Sequence, residues 1–86
     1  MAKKDGTVVT RCKFTCAQVT HRKDGNGMAY DYVFLPVLQG SPENTEFFKY
    51  TPSGRLEFSG IKADGFEVGE EYYLDLSLAV QPAPAA

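Results

Sequence analysis

Near the end of the chain, Tyr72, Leu74, Leu76 and Leu78 alternate with Tyr73, Asp75 and Ser77. Successive side chains of an extended strand point to opposite faces, so a period of two marks a strand with one face buried and one wet. The same alternation recurs upstream. Cys12, Phe14 and Cys16 share one parity while Arg11, Lys13 and Thr15 share the other, and Leu56 and Phe58 alternate with Arg55, Glu57 and Ser59. Between Met28 and Leu38, one face carries Met28, Tyr30, Tyr32 and Phe34, and the other carries Val33, Leu35 and Val37. Strands are therefore expected at about Thr7–Thr20, Met28–Leu38, Arg55–Ile61 and Glu70–Leu78. The six Phe and five Tyr suit them.

Local irregularities are also legible. After Ala17 the parity slips, because Val19 is the next large apolar residue; a bulge near Ala17–Gln18 returns it to the core. Pro36 cannot donate to a ladder, so it marks an edge, a bulge or the end of pairing. His21–Gly27 contains Asp24-Gly25 and Asn26-Gly27, both tolerant of positive φ, and is expected to be a hairpin loop. Lys62–Gly69 is a connection whose Phe66 and Val68 are expected to cover one end of the core.

One stretch, Ser41–Gly54, breaks the alternation. Ser41 can cap a helix while Pro42 takes the first helical position, where its missing N–H costs nothing. A short helix is expected near 42–49, with one of Phe47 and Phe48 plugging a barrel end and the other leaning on Tyr50. Pro52 and Gly54 fit the second and fourth positions of a type I turn. The fold class is mainly β: a small antiparallel meander or barrel, OB-like or SH3-like, with this one short helix. A flat open sheet would leave the aromatic face of the second strand wet, so closure, or cover by a partner, is required.

Eighty-six residues make one small domain, taken as residues 7–80 between a polar tail (1–6) and a Pro/Ala tail (81–86). Hydrophobic residues at 43% and charged residues at 23% are those of a globular chain. No apolar run approaches the ~18 residues of a membrane span, and MAKKDGTVVT lacks an apolar signal core. Folding in a cytoplasm, away from membranes, is the expectation. Cys12 and Cys16 on one strand lie about 13 Å apart at a rise of ~3.3 Å per residue, beyond disulfide reach. Reduced, buried thiols follow.

Charge is uneven. Residues 1–27 hold six Lys/Arg against two Asp, and residues 28–86 hold three Lys/Arg against nine Asp/Glu. Such polarity can drive head-to-tail association; alternatively, the fold mixes the halves and the charges solvate outer strand faces.

No residue pattern marks a catalytic site, so no enzyme activity and no cofactor are expected. Cys12, Cys16 and His21 lack a fourth ligand and the knuckle geometry of a zinc site. Neither thiol is marked by a positioned base, and Gly25 and Gly27 do not lead into a phosphate-cradling helix. Nucleic-acid binding has more support: Tyr30, Tyr32, Phe34 and Tyr73 could stack on bases while Arg11, Lys13, Arg22 and Lys23 follow a backbone. Against it, the net charge is −2, whereas nucleic-acid-binding domains are usually basic. The candidate contacts for an anion or a partner are thus Arg11, Lys13, Arg22, Lys23, Tyr30, Tyr32 and Tyr73.

Residues 33–78 carry a further pattern. PVLQGSPENTEFFKYTPSG followed by FEVGEEYYLDLSLA resembles a group of short tailed-bacteriophage proteins, whose recurrent blocks read "PVYS…ENK-F-TPSG" and "FEPGKEYYVDFTPA". Matching positions are Pro36, Val37, Glu43, Asn44, Phe47 or Phe48, Thr51, Pro52, Ser53, Gly54, Phe66, Gly69, Glu71, Tyr72, Tyr73 and Asp75. Thr45, Val68 and Leu76 depart from it, standing where lysine, proline and phenylalanine are usual. The resemblance implies a viral setting. There, a β-rich protein without a chemical site is expected to decorate or cement the capsid, contacting the major capsid protein or copies of itself. It would reside in the virion and, before assembly, in the host cytoplasm. The alternatives are a single-stranded-nucleic-acid-binding accessory protein and a host-defence inhibitor that acts by binding.

Overall fold

A computed structural model describes residues 8–79; the expected tails at 1–6 and 81–86 lie outside them. The chain is mainly β, with one four-stranded antiparallel sheet and one short helix. β1 runs Val8–Asp24, β2 Gly27–Pro36, α1 Pro42–Phe47, β3 Leu56–Ile61 and β4 Glu71–Ser77. The spatial order is β3-β2-β1-β4. The first three strands run up and down beside one another, and β4 then crosses to the free side of β1. The sheet curls but does not close, because β3 and β4 pair with β2 and β1 and not with each other.

β1 holds the sheet together. Its first half, Val8–Thr15, pairs with β4 and its second half, Phe14–Asp24, pairs with β2. The register slips between Cys16 and Gln18, where the parity argument places a bulge. That bulge lets both Cys16 and Val19 turn toward the core. β1 extends four residues beyond its expected end, since His21, Arg22 and Lys23 pair with Tyr30, Ala29 and Met28. The seven-residue loop expected there is a two-residue turn, Gly25-Asn26, closed by the Asp24–Gly27 pair. Gly25 has φ +61° and Asn26 does not take positive φ, the glycine-first pattern of a type II′ hairpin.

The concave face carries the core: Cys12, Phe14 and Cys16 of β1 against Tyr32 and Phe34 of β2. Phe66, from the β3–β4 connection, folds over it and meets Tyr32, Phe34 and Tyr72 edge to face at 5.1–5.3 Å. Val68, expected to join it, is exposed. Both thiols are free and buried, and burial raises their pKa above the ordinary value, which keeps them protonated and unreactive.

Pro36 ends β2, and α1 completes what β2 leaves off. Ser41 caps the helix, its hydroxyl accepting from the Asn44 N–H at 3.2 Å, and Pro42 follows as the first helical residue. The helix ends at Phe47, shorter than expected. Phe48 is half-buried against the core, while Phe47 is exposed and meets only the edge of Phe48 among the aromatic rings. The turn expected at Thr51–Gly54 does not form: the chain bends at Lys49–Thr51 and residues 52–55 run on without a turn.

Asn44 is the residue that fastens this segment. Its side-chain oxygen accepts from the Lys13 N–H at 2.7 Å, and its amide donates to the carbonyls of Lys13 (2.8 Å) and Val37 (2.9 Å). Lys13 turns its backbone groups toward the end of β2, where the Val37 N–H donates to the Lys13 carbonyl at 3.0 Å and no strand partner remains for the Lys13 N–H. A side-chain amide thus takes the place of a strand at the point where the ladder stops.

Candidate interaction surface

The sheet has two surfaces of interest: the outer face of β1 and β4, and the open seam between β3 and β4.

On the outer face, three of the seven candidate contacts come together. Arg11 lies over the Tyr73 ring at 4.5 Å and Lys13 approaches the same ring at 5.4 Å. The register dictates this, since Lys13 stands opposite Tyr73 and Arg11 opposite Asp75. Each cation is matched by carboxylates. Arg11 donates to both Asp75 oxygens, at 2.6 and 2.9 Å, and Lys13 lies 3.7 Å from Glu71 and 4.0 Å from Glu43. The bidentate hydrogen bonds from Arg11 hold Asp75 below the usual carboxylate range. Glu43 is also held low, first by its own backbone N–H, then by the Ser41 hydroxyl and by Lys13.

The other four candidates are dispersed. Arg22 donates from Nε to Asp31 at 3.0 Å, on a different part of the outer face. The other Asp31 oxygen accepts from the Gly60 N–H (2.9 Å) and the Ser59 hydroxyl (3.3 Å). Together these lower the Asp31 pKa, the Gly60 N–H contributing most. Lys23 stands exposed at the hairpin end. Tyr30 is half-buried, with the His21 ring edge-on at 4.9 Å.

Tyr32 requires a correction: it has no exposed surface and cannot stack on a base or touch a partner. Its hydroxyl donates to Asp64 at 2.5 Å and accepts from the Gly65 N–H at 3.1 Å, fastening the β3–β4 connection over the core. Burial, and then Asp64, push its pKa up. The acidic partners Asp31, Glu43, Glu71 and Asp75 are the residues that sequence reasoning missed as part of this surface. Their signal is positional: a carboxylate on an outward parity opposite a cation, which becomes readable only once the strand register is known.

The seam differs in kind. β3 contributes Leu56 and Phe58, β4 contributes Tyr72, Tyr73 and Leu74, and Phe14, Phe34 and Phe66 form the floor of an apolar cleft of about 200 Å³. Unpaired strand edges bound it on both sides. No cation or carboxylate lines it, and among the described residues every buried side-chain nitrogen or oxygen has a hydrogen-bond partner. The cleft therefore offers apolar contact beside backbone groups of the strand edges.

Among the described residues no group of three or more His, Cys, Asp or Glu is placed to hold a metal ion. No helix among them is long and apolar enough to cross a membrane.

The three depressed carboxylates give one pH prediction. A group whose folded pKa lies below its unfolded value stabilises the fold above the unfolded value, and loses that contribution as pH falls through the folded one. Asp31, Glu43 and Asp75 all have this sign. The urea midpoint should stay level through neutral pH and fall below about pH 4, where carboxylates take up protons. Arg11→Met, which removes the partner of Asp75, should flatten part of that fall.

Comparison of the chain with families of known proteins, with curated proteins and with solved structures finds no match.

Proposed function

We propose that this is a non-enzymatic structural protein of a tailed bacteriophage, decorating or cementing the capsid by binding the major capsid protein or further copies of itself. The observation that carries the reading is the seam: the unpaired edge of β4 beside an apolar cleft lined by no cation or carboxylate. Such a surface suits the addition of extended polypeptide, with backbone hydrogen bonds giving affinity and an apolar pocket giving selectivity. Leu38, Phe47 and Tyr50, exposed around α1, add apolar surface for a protein neighbour. The viral setting comes from the TPSG and FEVGEEYYLD blocks. In that setting the protein belongs to the virion, and to the host cytoplasm before assembly.

Single-stranded nucleic-acid binding is the second reading, favoured by the exposed Tyr73 ring between Arg11 and Lys13. The carboxylates on the same face argue against it. Arg11, Lys13 and Arg22 each lie within ion-pair distance of Asp or Glu, so a phosphate backbone would have to displace those partners before gaining from counterion release.

Mass spectrometry of purified virions is the deciding measurement. A decorating protein should be present in the high copy number of a shell component, and its absence from virions would overturn the proposal. Salt-dependent retention on single-stranded DNA, weakened by Arg11→Ala and Lys13→Ala, would establish the second reading in its place.

A further inference from the structure

The two free edges of the sheet are not equivalent. β3 is protected: its pairing with β2 slips between Tyr30 and Tyr32, where an extra residue in β3 bulges the strand at Gly60 (φ +77°). Asp31 ties the bulge down through Ser59 and Gly60. A bulged, twisted strand of this kind resists further pairing. β4 has no such device. Glu71–Ser77 contains no proline, no lysine and no inserted residue, and the register slip at that end of the sheet lies in β1, between Val8 and Thr10.

The backbone groups on the free edge of β4 can be assigned. Lys13 points its N–H and C=O toward Asn44, away from β4. Its opposite number Tyr73 is therefore in a non-hydrogen-bonded pair with β1. Ladder bonds alternate along an antiparallel pair, so Glu71, Tyr73, Asp75 and Ser77 present their N–H and C=O groups outward, unpaired among the described residues.

We propose that β4 is the interface of a symmetric dimer, in which the β4 edges of two copies of this chain pair antiparallel about a two-fold axis at Leu74. The register selects itself. Leu74 is the midpoint of Glu71–Ser77, so only this axis overlaps the whole strand with its copy. It sets Tyr73 opposite Asp75, Glu71 opposite Ser77, Tyr72 opposite Leu76, and Leu74 opposite itself. No two carboxylates face each other, and every pair on the concave face is apolar. An axis moved to Tyr73 would set Glu71 against Asp75; one at Asp75 would set that carboxylate against itself. Like charges directly opposed on paired strands are destabilising. Pairing in the chosen register also brings the partner's Leu76, exposed in the single chain, beside Tyr72 at the mouth of the apolar cleft. Because one edge pairs with itself, the assembly closes at two copies and does not propagate as a filament. The inference rests on the seam and not on the viral setting: the dimer should form in the purified protein whether or not a virion contains it.

Light scattering coupled to size-exclusion chromatography of the full chain tests it. The expected mass is twice the 9.5 kDa chain, falling toward the monomer on dilution. Tyr73→Pro removes an outward N–H that makes no bond within the chain, so the variant should stay folded by circular dichroism and run as a monomer. Ser77 is exposed and stands opposite the partner's Glu71 only in this register. Ser77→Lys should tighten the dimer and Ser77→Glu should loosen it, each by about threefold to tenfold for two symmetry-related pairs. A wild-type chain monomeric at its highest soluble concentration would overturn the proposal. So would a larger oligomer, or a dimer indifferent to Tyr73→Pro and to the sign of charge at residue 77.

Discussion

Replacing Asn44 with alanine should cost about 2–3 kcal/mol of unfolding free energy, because it leaves part-buried backbone groups without partners. Asn44 is 1% exposed and its side chain makes three hydrogen bonds to main chain. The Lys13 carbonyl keeps a second donor, the Val37 N–H at 3.0 Å, so truncation strands chiefly the Lys13 N–H and the Val37 carbonyl. For a domain this small, total stability is of order 4–13 kcal/mol at ~0.05–0.15 kcal/mol per residue. The loss is therefore a large share of the whole. Urea unfolding should show a lower midpoint with an unchanged slope, since the surface exposed on unfolding is nearly the same. Asn44→Asp discriminates the cause: it keeps the acceptor for Lys13 but loses both donors and buries a charge, so it should be no better than alanine. A loss of unfolding free energy under about 0.5 kcal/mol for the alanine variant would show that water replaces the amide and that α1 is only loosely fastened.

Phe34→Ala should be more damaging still, at about 3–5 kcal/mol. Phe34 is 3% exposed and its ring meets Phe58, Phe66 and Tyr72 edge to face at 5.3–6.1 Å, with Tyr32 tilted at 6.2 Å. It is the ring that touches β3, β4 and their connection at once. Its loss removes the transfer free energy of a phenyl group and enlarges an apolar cleft that already opens to solvent. Phe34→Leu should recover much of the stability by refilling the volume, although without the edge-to-face contacts. If Phe34→Ala melts within a few degrees of the wild type, the concave face is not the principal core.

How far the sequence reveals this molecule depends on the range over which each feature is determined. The strands are legible because alternation is a property of neighbouring residues, and the bulge at Ala17–Gln18 is legible because Val19 has the wrong parity for an unbroken strand. The Ser41 cap and Pro42 are local in the same sense. The hairpin turn reads wider in the sequence than it is, because two Gly-containing dipeptides stand in a row and either can turn the chain. Only the pairing of His21–Lys23 with Met28–Tyr30 shows that Asp24–Gly27 makes the turn. Thr51–Gly54 has turn residues but no turn: the chain bends earlier, at Lys49–Thr51, and Gly54 takes φ +138°, a value open to glycine.

Burial and pairing are longer-range still. Tyr30 and Tyr32 share a face and look alike in sequence, yet Phe66 and Asp64 cover only Tyr32. Arg11 and Lys13 read as a basic stripe until the register brings Asp75 and Glu71 to them from the other end of the chain. For Arg11, Lys13 and Arg22 the uneven charge along the sequence is thereby matched in space, which favours the solvating reading over the head-to-tail one.

The double service of β1 has a consequence for the order in which this sheet assembles. Its second half pairs with β2 across a two-residue turn, a loop whose closure costs little entropy, whereas its first half waits for a strand about 60 residues away (Arg11 and Asp75 are separated by 64). On loop-closure entropy the β1–β2 ribbon is expected to form first and β4 to dock after it. While the ribbon stands alone, Cys12 and Phe14 lack their β4 cover. On the ribosome that interval is imposed by the chain itself, because among the described strands β4 is synthesised after β1, β2 and β3.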